Sequence, residues 1–176
     1  IIPVSDVFID IHGGGVNEDL IPFALFYDNP NYPEQTKKAR ELTENSGFEY
    51  IVSYPFSLRD DEPAKYVFKQ ASQDGKIALS FESGKLGNVQ EDAVSLLKNG
   101  VYNMLDNMAM YDNGTGPHAN LIQLNNQTYL SATETGLFYS DLNAGDTVKE
   151  GDVVGSITNE FGEKLKEYKA HTSGII

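Results

Sequence analysis

Val7-Phe8-Ile9-Asp10-Ile11-His12-Gly13-Gly14-Gly15 is the stretch on which the architecture turns. Its apolar and β-branched residues predict a buried strand over Asp6–Ile11 that breaks into a glycine-rich loop. Side chains alternate along a strand, so Asp10 and His12 share one face. A second such segment lies further on. Lys76–Phe81 (KIALSF) reads as a strand and runs into Glu82-Ser83-Gly84-Lys85-Leu86-Gly87. Between the two, Glu34–Asn45 (EQTKKARELTEN) is helix-like with Gly47 just past its end, and Phe48–Tyr54 is a strand by its β-branched and aromatic residues. Pro63–Gln73 reads as a helix entered at Pro63 and left near Gly75. Gln90–Tyr111 is the longest helix, with Ala93, Val94, Leu97, Val101, Leu105 and Met108 at three- and four-residue steps. Strands separated by helices predict βαβ units and a mostly parallel sheet.

Past Tyr111 the composition changes. Asp112-Asn113-Gly114-Thr115-Gly116-Pro117 is a loop by its turn residues. From Asn120 onward short apolar pieces alternate with Gly, Asn and Asp (LIQL, TYLSA, GLFYS, VVGSIT, KLKEYKA), which predicts an all-β region with tight turns. The boundary falls near Gly116 and gives two domains, 1–116 and 117–176. Gly145-Asp146 and Gly151-Asp152 read as repeated turns, not as a solenoid.

The 176 residues carry 13 Lys and Arg against 26 Asp and Glu, a formal net charge of −13. That balance argues against nucleic acid and against an anionic membrane surface as partners. A 40% hydrophobic content supports a packed core. With 0 cysteines there is no disulfide scaffold, no thiol nucleophile and no Cys-ligated metal. No run approaches the roughly 18 apolar residues of a membrane span, and no signal-peptide pattern is present, so a cytoplasmic protein is the expectation. The chain opens on Ile1-Ile2-Pro3 inside what reads as a core strand and stops on Gly174-Ile175-Ile176 at the opening of another, as a piece of a longer chain would.

His12 falls at the carboxyl end of a parallel strand, where open α/β sheets bind ligands. It reads either as a metal ligand, with Asp10 fixing its tautomer, or as a strand-end histidine before a glycine turn. The three glycines do not make a phosphate loop, because the spacing is wrong and no Lys follows. Glu82 is delivered to the same rim. It reads either as a general base for activating water or as an acid that ends a strand in solvent.

Taken together, Asp-x-His ending one strand and Glu-x-Gly ending a later one resemble the zinc carboxypeptidase-like deacylases, and specifically the succinylglutamate desuccinylase/aspartoacylase family. The β region adds Gly136-Leu137-Phe138, Gly145-Asp146-Thr147-Val148-Lys149-Glu150-Gly151-Asp152-Val153-Val154-Gly155, Phe161-Gly162 and Ala170-His171-Thr172-Ser173-Gly174-Ile175-Ile176 in the family's order. The resemblance implies an α/β fold, a mixed sheet with flanking helices of the zinc-carboxypeptidase type, followed by a small all-β barrel-sandwich domain. It implies Zn2+ as cofactor, His12 as a zinc ligand, Asp10 behind it, and Glu82 as the catalytic base and acid. The reaction implied is that of a metal-dependent amidohydrolase cleaving the linear amide of an N-acyl amino acid or a similar small molecule. It leaves open whether the protein is a homo-oligomer.

The family's His-x-x-Glu zinc-ligand pair and its Asn-Arg substrate segment do not occur here. A catalytic zinc needs three protein ligands, so these residues alone are expected to be inactive. A substrate carboxylate calls for a cation, and of Arg40 and Arg59 the second is the candidate for substrate binding, although Asp60 and Asp61 are ready ion-pair partners. His118 reads as a linker residue and His171, where the family often has Pro, as structural. The Asn113 and Asn126 glycosylation patterns are chance matches without a secretion signal. Met104, Met108 and Met110 belong to a core-facing helix. A biotinyl or lipoyl carrier would need a Lys in the turn Ile157–Gly162, and none is there. Two further functions compete with the deacylase: a zinc carboxypeptidase acting on short peptides, and a non-catalytic binding or assembly module.

Overall fold

The computed structural model describes residues 1–57, 59, 61–112, 114 and 120–176. Asp60, His118, the Asn113 glycosylation pattern and the boundary near Gly116 lie outside them. The described chain forms two compact units, Ile1–Asn126 and Gln127–Ile176.

The first unit is a five-stranded sheet with helices on both faces. Its strands are β1 (Val7–His12), β2 (Phe23–Asp28), β3 (Tyr50–Pro55), β4 (Ile77–Glu82) and β5 (Ile122–Leu124), in the order β1-β4-β2-β3-β5. The helices are α1 (Pro33–Glu44), α2 (Val67–Gln73) and α3 (Glu91–Asn107). The pairs β1/β4, β2/β3 and β3/β5 are parallel, while β2 lies antiparallel to β4. The sheet is therefore mixed, and the carboxyl ends of β1 and β4 share one rim with the amino ends of β2 and β3.

Alternation along the strands sorts the apolar residues into two cores. Phe26, Leu79 and Phe81 pack with Ala39 and Leu42 of α1, Met104 of α3, and Phe48. On the other face Leu25, Tyr27 and Phe68 of α2 pack with Phe8, Phe23, Val52 and Tyr54. The Phe48 and Phe81 rings stack at 4.9 Å between centroids. Gly100 lies close beneath them: a Cβ there would sit 3.0 Å from Phe81 and 3.1 Å from Phe48, so the rings would have to shift by a few tenths of an ångström to admit one.

Several elements differ from their expected bounds. Phe23–Asp28, the middle strand, has no counterpart in the sequence reading. The second helix begins at Val67 rather than Pro63, and the third ends at Asn107 rather than Tyr111. Met104 is buried, as a core-facing helix requires, but Met110 is exposed. Ile122–Leu124, grouped with the β region on composition, pairs with Tyr50–Val52 as the edge of the α/β sheet.

The second unit is all β. Strands β6 (Leu137–Tyr139), β8 (Val153–Thr158) and β9 (Lys164–Lys169) form an antiparallel sheet in the order β6-β8-β9, and β7 (Thr147–Val148) pairs with β10 (Gly174–Ile175). The two Gly-Asp pairs act alike: Asp146 Oδ2 accepts the Asn143 N–H at 2.7 Å and Asp152 Oδ2 accepts the Lys149 N–H at 2.8 Å, each closing its turn. Asn159 Oδ1 accepts the N–H groups of Phe161 and Glu163 in the hairpin turn.

Candidate functional site

Parallel pairing of β1 and β4 sets Asp10 beside Ser80 and His12 beside Glu82. Residues in register point to the same side of a sheet, so all four project from the face that carries α2. His12 Nε2 lies 3.1 Å from Asp10 Oδ1. A carboxylate there favours the proton on Nε2 and leaves the Nδ1 lone pair for a ligand. Ser80 Oγ donates to Glu82 Oε1 at 3.3 Å. Antiparallel pairing with β2 places Phe23 on the other flank of Glu82.

Glu82 is thus half-buried between an imidazole and an aromatic ring. Burial pushes its pKa above the ordinary glutamate value, the nearby carboxylates of Asp10 and Glu18 push the same way, and His12 and the Ser80 hydroxyl pull it back. Raised means that the fold favours the neutral acid. The stability associated with Glu82 is fully present below its unfolded-state pKa and is lost as pH rises through its folded-state pKa. In the chelator-treated protein, Glu82→Gln is therefore expected to gain stability relative to wild type as pH rises from the unperturbed glutamate value through the raised folded-state pKa. Urea denaturation across that range checks it, and a difference that does not vary with pH would contradict the assigned environment.

Two glycine loops hold this rim together. The Gly14 N–H donates to the Gly84 carbonyl at 3.1 Å, the Gly87 N–H to the Gly14 carbonyl at 3.2 Å, and the Ser83 N–H to the His12 carbonyl at 3.1 Å. A Cβ on Gly14 would sit 2.3 Å from the Gly84 oxygen, so only glycine permits the approach. Glu18 closes the first loop on itself, its Oε2 accepting the Gly15 N–H at 2.6 Å. Gln90, just before α3, clasps the second: its Oε1 accepts the Lys85 N–H at 3.0 Å and its Nε2 donates to the Lys85 carbonyl at 2.9 Å. Neither Glu18 nor Gln90 is marked by its own sequence context, because each acts on backbone groups that only the folded loops bring near.

The structure brings His12, Asp10 and Glu82 together and leaves Arg59 elsewhere. Arg59 follows the carboxyl end of β3, which lies at the rim away from Glu82. It is 80% exposed, with its Nε 3.4 Å from Asp61. Arg40 lies over the Phe26 ring, 3.9 Å from Asp28.

A catalytic zinc takes three protein ligands. Among the described residues no group of three or more His, Asp or Glu is placed to hold a metal ion. The donors present fit one corner of such a site and do not complete it. Among the described residues no helix is long and apolar enough to cross a membrane.

No family model matches the chain. Among curated proteins it is similar to the N-alpha-acetyl-L-2,4-diaminobutyric acid deacetylase of Halomonas elongata, 27% identical over 183 residues that cover 100% of this chain and 52% of that protein. Among solved structures it is similar to the product-bound ectoine utilization protein EutE (DoeB) of Ruegeria pomeroyi, with a TM-score of 0.84 at 20% identity, covering 99% of this chain and 53% of that one. A succinylglutamate desuccinylase from Silicibacter sp. TM1040 gives a TM-score of 0.84 at 24% identity, again over 99% of this chain and 53% of the other. A succinylglutamate desuccinylase/aspartoacylase from Rhodobacter sphaeroides gives 0.82 at 22% identity, over 99% and 53%. The chain spans about half the length of the relatives it matches. With a deacetylase as curated relative and these proteins as structural neighbours, the chain has the fold of the succinylglutamate desuccinylase/aspartoacylase family.

Proposed function

We propose that these residues belong to a zinc-dependent hydrolase that cleaves the amide bond of an N-acyl amino acid, with His12 as one zinc ligand and Glu82 as the group that moves the proton. The observation that carries this reading is the register pairing of His12 with Glu82 at the carboxyl ends of two adjacent parallel strands. The deacetylase and desuccinylase names of the relatives support the reaction class. In this reading the other zinc ligands come from the part of the relatives' length that the 176 residues do not span, and the unit Gln127–Ile176 is the barrel-sandwich domain.

Bound zinc would polarise the amide carbonyl and lower the pKa of its water. The chain's own residues supply the rest. Asp10 orients the His12 imidazole. Glu82 accepts the proton of the attacking water and returns it to the departing amine. Ser80 holds the carboxyl through its hydroxyl, and Phe23 flanks it in register on β2.

The test is a turnover assay of the full-length protein on N-acetyl amino acids and, in parallel, on short peptides with free amino termini. Release of acetate from the former is expected. Turnover of peptides alone would establish a carboxypeptidase instead, and turnover of neither in the zinc-loaded protein would leave a binding module.

A further inference from the structure

Glu82 sits between two points at which α3 grips its strand. Before it, Phe81 is fully buried in the core that includes Met104 of α3, and its ring lies 3.0 Å from where a Cβ on Gly100 would stand. After it, the chain enters the loop 84–87, outside any strand or helix. Gly84, Leu86 and Gly87 take φ values of 111°, 56° and 63° there. Leu86 is left-handed without being a glycine, a conformation that a side chain disfavours. A loop of this kind keeps its shape only when its neighbours impose it.

Gln90 is the neighbour that does so. Its Oε1 accepts the Lys85 N–H at 3.0 Å and its Nε2 donates to the Lys85 carbonyl at 2.9 Å, so one amide meets both backbone groups of one residue, as a paired strand would. That use of the side chain is unusual for its position. Gln90 is the N-cap of α3, with φ −111° and ψ 130°, and its carbonyl accepts the Val94 N–H at 3.0 Å. A cap side chain ordinarily turns onto the first N–H groups of its own helix. Among the described residues that of Gln90 caps none of them and reaches back to Lys85 instead. From there the hold passes on. The Gly84 carbonyl accepts the Gly14 N–H, and the Gly87 N–H donates to the Gly14 carbonyl, in the loop that follows His12.

We propose that Gln90 is a positioning residue of the hydrolase: by tying Lys85 to α3 it holds the loops that follow Glu82 and His12, and with them the separation of those two side chains. The proposal rests on the hydrolase reading and adds to it a residue that acts through backbone groups alone. Glu82 is clamped on both sides by one helix, through Phe81 before it and Lys85 after it. Removing the second clamp leaves β4 paired to β1 and β2 but frees the chain just beyond the carboxyl. A displacement of about 1 Å at a reacting group can cost about 100-fold in rate.

The experiment uses the full-length, zinc-loaded protein and three substitutions. Gln90→Met keeps the length of the side chain and loses both bonds. Gln90→Ser loses them too but places a favoured cap residue on α3. Gln90→Glu keeps an acceptor for the Lys85 N–H and loses the donor. Turnover of an N-acetyl amino acid, melting temperature and hydrogen exchange over residues 83–88 are read together. Gln90→Met and Gln90→Ser are expected to lower kcat by about tenfold to 100-fold with KM within about twofold, and to speed exchange in that segment. Gln90→Ser is expected to melt no lower than wild type, which separates a lost position from a lost fold. Gln90→Glu is expected to fall between wild type and Gln90→Met. Wild-type kcat in Gln90→Ser, a rise in KM alone, or a loss of turnover matched in every variant by a loss of folded protein overturns the proposal. Each of those outcomes requires turnover by the wild type; its absence overturns the hydrolase reading itself, and the proposal with it.

Discussion

Glu82→Gln is expected to lower the turnover number for an N-acyl amino acid by about 10²–10⁴-fold, the range associated with a positioned proton-transfer group. The amide matches the carboxyl in shape and can still accept the Ser80 hydroxyl through its oxygen. It cannot take a proton from water or give one to an amine. KM is expected to change little, because Glu82 acts on the reacting proton and not on the bulk of the substrate. Burial of the carboxyl and its two acidic neighbours raise its pKa in the metal-free protein. Steady-state kinetics on the full-length protein, with circular dichroism to establish that the variant is folded, check the prediction. A turnover number close to wild type would remove Glu82 from the chemistry and return it to a strand-ending acid.

What the sequence could reveal here depended on how local each feature is. Val7–His12 and Ile77–Glu82 were legible because each is a compact run of β-forming residues delivered into glycines. Their register was not. The match of His12 to Glu82 is set by pairing across 69 intervening positions, and nothing near either residue encodes it. Phe23–Asp28 escaped because it is the middle strand. Ala24, Leu25, Phe26 and Tyr27 are all buried, so the run lacks the polar alternation that marks a half-exposed strand. Pro63 suits a first turn, but the helix starts at Val67, next to Phe68, which is the side chain that packs on Leu25 and Tyr27. The third helix stops at Asn107 because Ala109 turns left-handed, φ 56°, and the Met110 and Tyr111 N–H groups fold back to the Leu105 carbonyl. Apolar periodicity through Met108 gave no sign of that. Ile122–Leu124 joins the α/β sheet through β3, a long-range choice that local composition cannot record. At the site, the candidate residues Asp10, His12 and Glu82 were legible by type and position, whereas Gln90 and Glu18, which hold the loops through backbone groups, were not.

His12→Ala separates the metal from the scaffold. The full-length protein is expected to bind about one zinc per chain through three protein ligands, and the variant is expected to lose it. Removing a group that only orients a ligand typically lowers metal affinity about 10–100-fold. Asp10→Asn, which keeps the shape but weakens the hold on Nε2, is expected to fall in that range, and His12→Ala to exceed it. The order of the two losses is informative, because a general disturbance of the rim would not rank them this way. Neither change threatens the fold strongly. The His12 side chain is 50% exposed and that of Asp10 22%, at the end of an edge strand whose apolar partners lie further back along β1. Zinc content by elemental analysis after dialysis, together with competition against a chelator, gives both numbers without reference to activity. Retention of one tightly held zinc in His12→Ala would put the metal elsewhere, and His12 would then be a histidine that ends a strand. Loss in His12→Ala with partial loss in Asp10→Asn would fix the imidazole as a ligand, with Nδ1 toward the metal and Nε2 toward the aspartate. Glu82, its partner in register, would then stand one strand away from that metal, where a base that activates bound water has to be.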